Sequence, residues 1–153
     1  ARVTPEYDKG TGRLTRIAYD RKGGGKPDSW AYMDGARVVR VEVDENGDGK
    51  IDRWEFHETG APGASPLETV VRIERATQHD GRVSRWEYFD QGKLTRVEED
   101  TDGDGKIDKW QTYAGGTLTS LALDTTGHGK PDRRLLYKGD GSFDRIEGGD
   151  GGK

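Results

Sequence analysis

The chain has 153 residues, of which 29% are hydrophobic and 35% charged, and its formal net charge is -4. So small an apolar fraction leaves little material for a packed core, but four Trp and six Tyr argue against disorder. The absence of Cys excludes disulfides and thiolate metal sites. Scattered Lys and Arg predict no nucleic-acid surface, and no apolar run approaches the roughly 20 residues that span a membrane.

An internal repeat organises the sequence. Similar segments begin near residues 20, 44, 76, 100 and 124, so that successive starts lie 24, 32, 24 and 24 residues apart. The second unit therefore carries eight extra residues, which fit best between 58 and 67. Residues 1–19 match the last part of a further unit. We predict one repeat domain over 1–147, followed by a Gly-rich tail at 148–153.

Each unit is predicted to be an aspartate loop followed by a β-hairpin. In the first strand an aromatic residue stands two positions after Trp, which places both rings on one face of the strand. These pairs are Trp30/Tyr32, Trp54/Phe56 and Trp86/Tyr88. A Gly-containing turn follows. The second strands are expected at 38–43, 70–75, 94–98 and 118–123, and no segment predicts a helix.

The predicted fold is therefore all-β, an antiparallel up-and-down meander of ten or more strands. Such a meander can close into a barrel, which removes exposed edges and encloses the aromatic face. It can also remain a curled open sheet, in which each repeat contacts only its neighbours. Closure is the favoured expectation, and the open sheet is the alternative.

The loops differ in how many oxygen ligands they offer. The first loop, 20–28, keeps Asp at both ends, but Lys22 and Gly24 stand at its middle ligand positions. The loop at 76 retains only Asp80. In the last loop, 124–132, Thr126 and His128 replace the middle ligands. We expect these three loops to be Gly-rich turns without an ion.

The loops at 44–52 and 100–108 carry the full string D-x-[DN]-x-D-G-x-x-D. Calcium takes about 6–8 oxygen ligands, which acidic or amide side chains at positions 1, 3, 5 and 9 and a carbonyl at position 7 supply. Gly at position 6 permits the bend. The predicted ligands are Asp44, Asn46, Asp48, the Lys50 carbonyl and Asp52 in one loop, and Asp100, Asp102, Asp104, the Lys106 carbonyl and Asp108 in the other. Glu55, at position 12, is a candidate for an additional ligand.

These nine-residue loops resemble the calcium loops of EF-hands, dockerins, thrombospondin type 3 repeats and integrin-type β-propellers. Ile51 and Ile107 even occupy the apolar eighth position. The propeller-type loop is most similar, because an Asp at position 9 leads directly into a strand. The resemblance implies about two Ca²⁺ sites per chain.

The hairpins resemble the YD repeats of bacterial cell-surface proteins. Tyr7 and Asp8 are followed by Gly12 and Leu14, and the segment 88–95 carries a similar string. This resemblance implies a bacterial extracellular β-sheet scaffold.

The predicted function is that of a calcium-stabilised structural protein, secreted or at the cell surface. Self-association into a filament or matrix by strand pairing is expected to accompany it. The alternative is a carbohydrate-binding module or adhesin that uses the aromatic face. His57, His79 and His128 stand at three different repeat positions, so they suggest no shared catalytic site and we predict no enzymatic activity.

Overall fold

The computed structural model describes residues 2–59 and 63–148. The predicted Gly-rich tail lies outside these residues except for Gly148, and so does part of the predicted insertion. Residues 1–83 and 84–153 form two compact units. Each is described by itself.

The first unit is an antiparallel meander in which every strand pairs with the next along the chain. One helical turn, α1, interrupts it before the last strand. The elements are β1 (Arg2–Tyr7), β2 (Leu14–Asp20), β3 (Ser29–Asp34), β4 (Arg37–Val43), β5 (Arg53–His57), α1 (Pro66–Thr69) and β6 (Val70–Arg75).

The second unit repeats this arrangement without a helix among its described residues. Its strands also pair antiparallel in chain order. They are β7 (Arg85–Asp90), β8 (Lys93–Glu99), β9 (Lys109–Ala114), β10 (Thr117–Leu123), β11 (Arg133–Tyr137) and β12 (Phe143–Gly148).

The all-β meander is confirmed, and the expected barrel is wrong. In neither unit do the first and last described strands pair with each other, so the sheet is open. A closed barrel must fill its interior with bulky side chains, whereas four of the seven buried apolar residues are alanines. Three of the aromatic rings are covered instead by arginines, which project from adjacent strands on the same face of the sheet.

The expectation of no helix is wrong at α1, which lies at the end of the inserted segment. Proline at the first turn of a helix loses no hydrogen bond and holds φ near the helical value. The Glu68 N–H donates to the Ser65 carbonyl at 3.0 Å, closing the turn. The insertion therefore adds a helical turn rather than a longer loop.

All six hairpins carry a β-bulge at the same place, near the turn. In three of them the unpaired residue is a threonine whose hydroxyl donates to a carbonyl of the partner strand. Thr15, Thr95 and Thr119 make this bond at 3.1, 3.2 and 3.0 Å. Bulges increase strand twist and fix register, so each repeat places its loops by the same local rule.

The aromatic face is a lattice of rings, arginines and glutamates. Across β3 to β6, Trp30 lies opposite Glu42, Glu42 opposite Trp54, and Trp54 opposite Glu74. In the adjacent row, the Arg40 guanidinium lies 4.0 Å from the ring centre of Tyr32. All four Trp side chains are half-buried. Neither unit therefore has a thick apolar core, and side chains on the sheet cover one another in pairs.

Candidate calcium loops

Four loops share one backbone frame: 20–28, 44–52, 100–108 and 124–132. In each, the N–H of the ninth residue donates to the carbonyl of the residue before the loop, at 2.8 to 2.9 Å. The glycines at position 6 have φ of 85° to 89°, and those at position 4 have φ of 73° to 80°. These left-handed conformations suit glycine. The loops are therefore built alike, whatever their side chains.

The aspartate at position 1 closes the turn from inside. In the loop 44–52, the two carboxylate oxygens of Asp44 accept the N–H groups of Gly47 and Gly49, both at 2.8 Å. Asp100 accepts those of Gly103 and Gly105 at the same distances. Both aspartates are largely buried, with 6% and 9% of their surface exposed.

The aspartate at position 9 holds the other end of each loop. The Asp52 carboxylate accepts the Glu45 N–H at 2.7 Å and is almost fully buried. Asp108 accepts the N–H and the hydroxyl of Thr101. Positions 1 and 9 thus lie together although seven residues separate them in the sequence.

Three carboxylates converge in each of the two full loops. Oxygens of Asp44, Asp48 and Asp52 lie within 4.8 Å of one another, and so do oxygens of Asp100, Asp102 and Asp108. This spacing is short enough for one cation to contact all three groups. The structure therefore brings together six of the eight predicted side-chain ligands.

The other two predicted side-chain ligands, Asn46 and Asp104, are not part of the two carboxylate clusters. Asp104 is exposed, and its carboxylate accepts the Lys106 N–H at 2.8 Å. Asn46 accepts the Asp48 N–H, and the Lys50 N–H donates to Asp48. These short-range hydrogen bonds orient the backbone at the bend, where the Lys50 and Lys106 carbonyls are predicted ligands.

The carboxylate of Glu55, the candidate additional ligand, contacts two side chains of its own strand. Glu55 lies on β5, where Arg53 is 3.1 Å and His57 3.5 Å from its carboxylate. The neighbouring His57 ring lowers the pKa of Glu55, although burial opposes that shift.

The charges in the loop 100–108 are mutually unfavourable. Burial raises the pKa of Asp100, but N–H bonds from Gly105 and Gly103 outweigh it, so the pKa is below 3.8. The Asp104 N–H lowers the pKa of Asp102, whereas a hydrogen bond with Asp100 and the neighbouring carboxylates raise it, and the net shift is upward. A bound cation would relieve this repulsion.

The loop 20–28 replaces the missing acidic ligands with cations of its own. Asp20 still accepts the N–H groups of Gly24 and Gly25. The Arg21 guanidinium lies 3.0 Å from the buried carboxylate of Asp28. Lys22, at position 3, donates to the Glu45 carbonyl at 2.9 Å.

The loop 124–132 keeps the turn and loses the charge. Asp124 accepts the N–H groups of Gly127 and Gly129 at 2.9 and 2.7 Å. At the middle positions, the Thr126 hydroxyl and the His128 ring are 2.7 Å apart. This pair occupies the place of two acidic ligands.

His79 contacts a predicted ligand, although its position in the repeat suggested no shared site with the other histidines. Its Nδ1 atom lies 2.9 Å from the Asp52 carboxylate, and the Ala76 N–H donates to the Asp52 carbonyl at 2.8 Å. The hydrogen bond to Asp52 raises the pKa of His79. Each loop begins beside the ninth residue of the previous one, and this stacking rule could have revealed the contact.

Within the part of the chain that the structure describes, no helix has the length and apolarity needed to cross a membrane. Neither a protein-family model nor a curated protein matches the chain.

Proposed function

We propose that the chain is a calcium-stabilised structural repeat protein, in which the loops 44–52 and 100–108 each bind one Ca²⁺. The observation that carries this proposal is the convergence of three carboxylates in each of these loops. The loops 20–28 and 124–132 have the same frame, yet protein cations or neutral groups stand at their middle positions.

The ligand chemistry favours calcium over other cations. Carboxylate, amide and carbonyl oxygens are hard ligands, and a flexible Gly-rich loop suits the 6–8 ligands that calcium takes at about 2.3–2.6 Å. Magnesium demands a tighter octahedron and retains its waters. The chain has no Cys to favour a softer metal.

The role we assign to the ions is architectural. The loop 44–52 joins β4 to β5, and the loop 100–108 joins β8 to β9. Each bound ion therefore ties one hairpin to the next, in a sheet whose buried apolar residues are few and small. A ligand that binds only the folded state adds about 2.7 kcal/mol per site when its concentration is 100-fold above Kd.

The proposed location of the protein, and the proposal that it is not an enzyme, follow from the structural role of the ions. Extracellular calcium modules have Kd values of about 10⁻⁴–10⁻³ M, so sites of this class fill in millimolar calcium. We therefore propose a secreted or cell-surface protein without catalytic activity.

Thermal unfolding in calcium and in a chelator tests the proposal. Millimolar calcium should raise the melting temperature relative to a chelator, and equal magnesium should raise it less. Identical melting curves in calcium and chelator would overturn the structural calcium role.

Self-association is a second part of the proposal. The outer edges of β1 and β12 are unpaired among the described residues, and these strands carry the exposed apolar side chains Val3, Tyr7, Phe143 and Ile146. An unpaired edge can add a strand from another copy. Electron microscopy with and without calcium should reveal filaments or sheets, and monodisperse particles in both conditions would count against assembly.

Carbohydrate binding is a second candidate function, and one observation favours it. None of the four Trp side chains is fully buried, so the aromatic face keeps ring surface that a sugar can contact.

A further inference from the structure

A groove of about 690 Å³ lies on the aromatic face of the second unit. Its floor is the short side chains of Ser120 and Ala122 on β10. Trp110 on β9 stands on one side, and Arg134 with Leu136 on β11 stands on the other. Because neighbouring strands are about 4.7–4.9 Å apart, the two sides are separated by roughly 9–10 Å, which leaves room for one sugar ring.

The groove exists because β10 departs from the repeat. In the other Trp hairpins the residue opposite Trp is glutamate: Glu42 faces Trp30, Glu74 faces Trp54, and Glu98 faces Trp86. The residue opposite Trp110 is Ala122.

The neighbouring position changes in the same way. The second strands β4, β6 and β8 carry an arginine stacked on a ring, namely Arg40, Arg72 and Arg96. On β10 this position is Ser120. Both long side chains that fill the lattice elsewhere are therefore short here, and Trp110 is left open toward β11.

The groove is cationic in a chain whose net charge is negative. Arg96, Lys130 and Arg134 line it, and no carboxylate is among its described lining residues. Arg96 is 3.7 Å from Glu98. Lys130 and Arg134 are exposed and make no ion pair within the described ranges, although Glu147 stands opposite Arg134 on β12. Both cationic side chains are therefore able to reach a ligand.

We propose that this groove binds an acidic sugar unit, such as the uronic acid of an anionic polysaccharide. Trp110 stacks against the apolar face of the sugar ring. Lys130 and Arg134 bind its carboxylate, for which guanidinium geometry is well suited. The hydroxyls of Thr112 and Ser120 lie along the same groove and pair with ring hydroxyls.

This assignment rests on the second candidate function and specifies its site and ligand class. Nucleic acid fits less well, because a phosphate backbone is recognised by a longer cationic track. An acidic peptide would satisfy the cations without using the Trp110 ring.

Calorimetric titration with trigalacturonate tests the proposal, with maltotriose as the neutral counterpart and a short polyaspartate as the acidic peptide. Calcium is kept constant throughout, and melting curves check that each variant is folded. Trigalacturonate should bind, and maltotriose and polyaspartate should each bind at least tenfold more weakly. Equal affinity for maltotriose would leave carbohydrate binding standing and overturn the acidic-sugar assignment. Equal affinity for polyaspartate, or no binding of trigalacturonate, would also overturn it.

Variants locate the site. The double variant Ser120→Arg/Ala122→Glu restores the residues of the other hairpins and should weaken trigalacturonate binding at least tenfold by filling the groove. Lys130→Ala/Arg134→Ala alters exposed side chains only and should weaken it similarly, even if the filled variant fails to fold. Trp54→Ala is the matched control and should leave binding unchanged. Undiminished binding by Lys130→Ala/Arg134→Ala, or loss of binding by Trp54→Ala in a folded protein, would contradict the assignment.

Discussion

The full loops 44–52 and 100–108 fold like the depleted loops 20–28 and 124–132, but they present different charges. All four have the same Gly conformations and the same aspartates closing the turn. Only the full loops add a third converging carboxylate. The aspartates at positions 1 and 9 therefore belong to the architecture of the turn, and the middle positions decide whether an ion can bind.

The depleted loop 20–28 shows what replaces an ion. The Arg21 side chain bonds Asp28, and Lys22 reaches the next loop. A tethered guanidinium neutralises a carboxylate without drawing on the solution, so this loop should be indifferent to calcium. The same turn can therefore be closed in an ion-dependent or an ion-independent way.

The largest effect is expected when position 1 is removed from a full loop. Asp44→Ala should abolish one calcium site and also break two N–H bonds inside the turn. A hydrogen bond to a charged group contributes about 1.5–3 kcal/mol, and this loss adds to the lost binding free energy. Denaturant unfolding in calcium and in chelator measures both parts. Asp20→Ala is the matched control. It should lose a similar amount of stability while calcium stoichiometry is unchanged, and a change in that stoichiometry would break the comparison.

A smaller effect is expected at position 5. Asp48→Ala and Asp104→Ala should each remove one ion and leave the other loop unaffected. The cost in saturating calcium is about 2.7 kcal/mol at 100-fold excess over Kd. In chelator, both variants should melt close to the unsubstituted protein, because both side chains are exposed. His128→Ala, at the corresponding position of a depleted loop, should change neither curve. Loss of both ions from a single substitution would show that the loops are not independent.

Acidic ligands introduced at the middle positions of the depleted loop 124–132 should create a calcium site there. Thr126→Asp/His128→Asp gives the loop 124–132 the same acidic pattern as 100–108, on a frame that already has the required bend. We expect calcium stoichiometry to rise by one and the melting temperature in calcium to rise modestly. The single variant Thr126→Asp is the control. An unchanged stoichiometry in the double variant would mean that position 5 and position 3 carboxylates do not suffice.

The smallest effect is an acid dependence of the depleted loop 20–28. Burial raises the pKa of Asp28, but Arg21 outweighs it, so the folded-state pKa is below 3.8. A lowered pKa contributes stability that is complete above pH 3.8 and is lost as the pH falls through the folded-state value. The free energy of unfolding of Asp28→Asn should therefore lie below that of the unsubstituted protein at pH 6 and approach it toward pH 2. Both are measured in calcium-free buffer, and a constant difference across this range would contradict the Arg21 account.

Much of the fold was predictable because local sequence signals, such as strand alternation and Gly-containing turns, specify each repeat unit. The expected strand at 70–75 coincides with β6, and the other three second strands lie within β4, β8 and β10. Closure was not predictable, because alternation of polar and apolar residues specifies faces and not the pairing of the first strand with the last. The helical turn α1 was missed, although Ser65 before Pro66 is a helix-start signal.

The candidate site was predictable in part for the same reason. Ligand spacing identified the two loops in which carboxylates converge, but spacing does not show which groups face each other across strands. The contact of His79 with Asp52 depends on strand register. The groove beside Trp110 forms because Ser120 and Ala122 replace the arginine and glutamate of the other second strands. This difference is recognised only when the repeats are compared at equivalent positions of the sheet.

Calcium stoichiometry by isothermal titration calorimetry tests the central claim most directly. We predict two ions per chain for the unsubstituted protein and one for Asp102→Ala, which removes a carboxylate that converges with those of Asp100 and Asp108. No binding, or four ions per chain, would contradict the account.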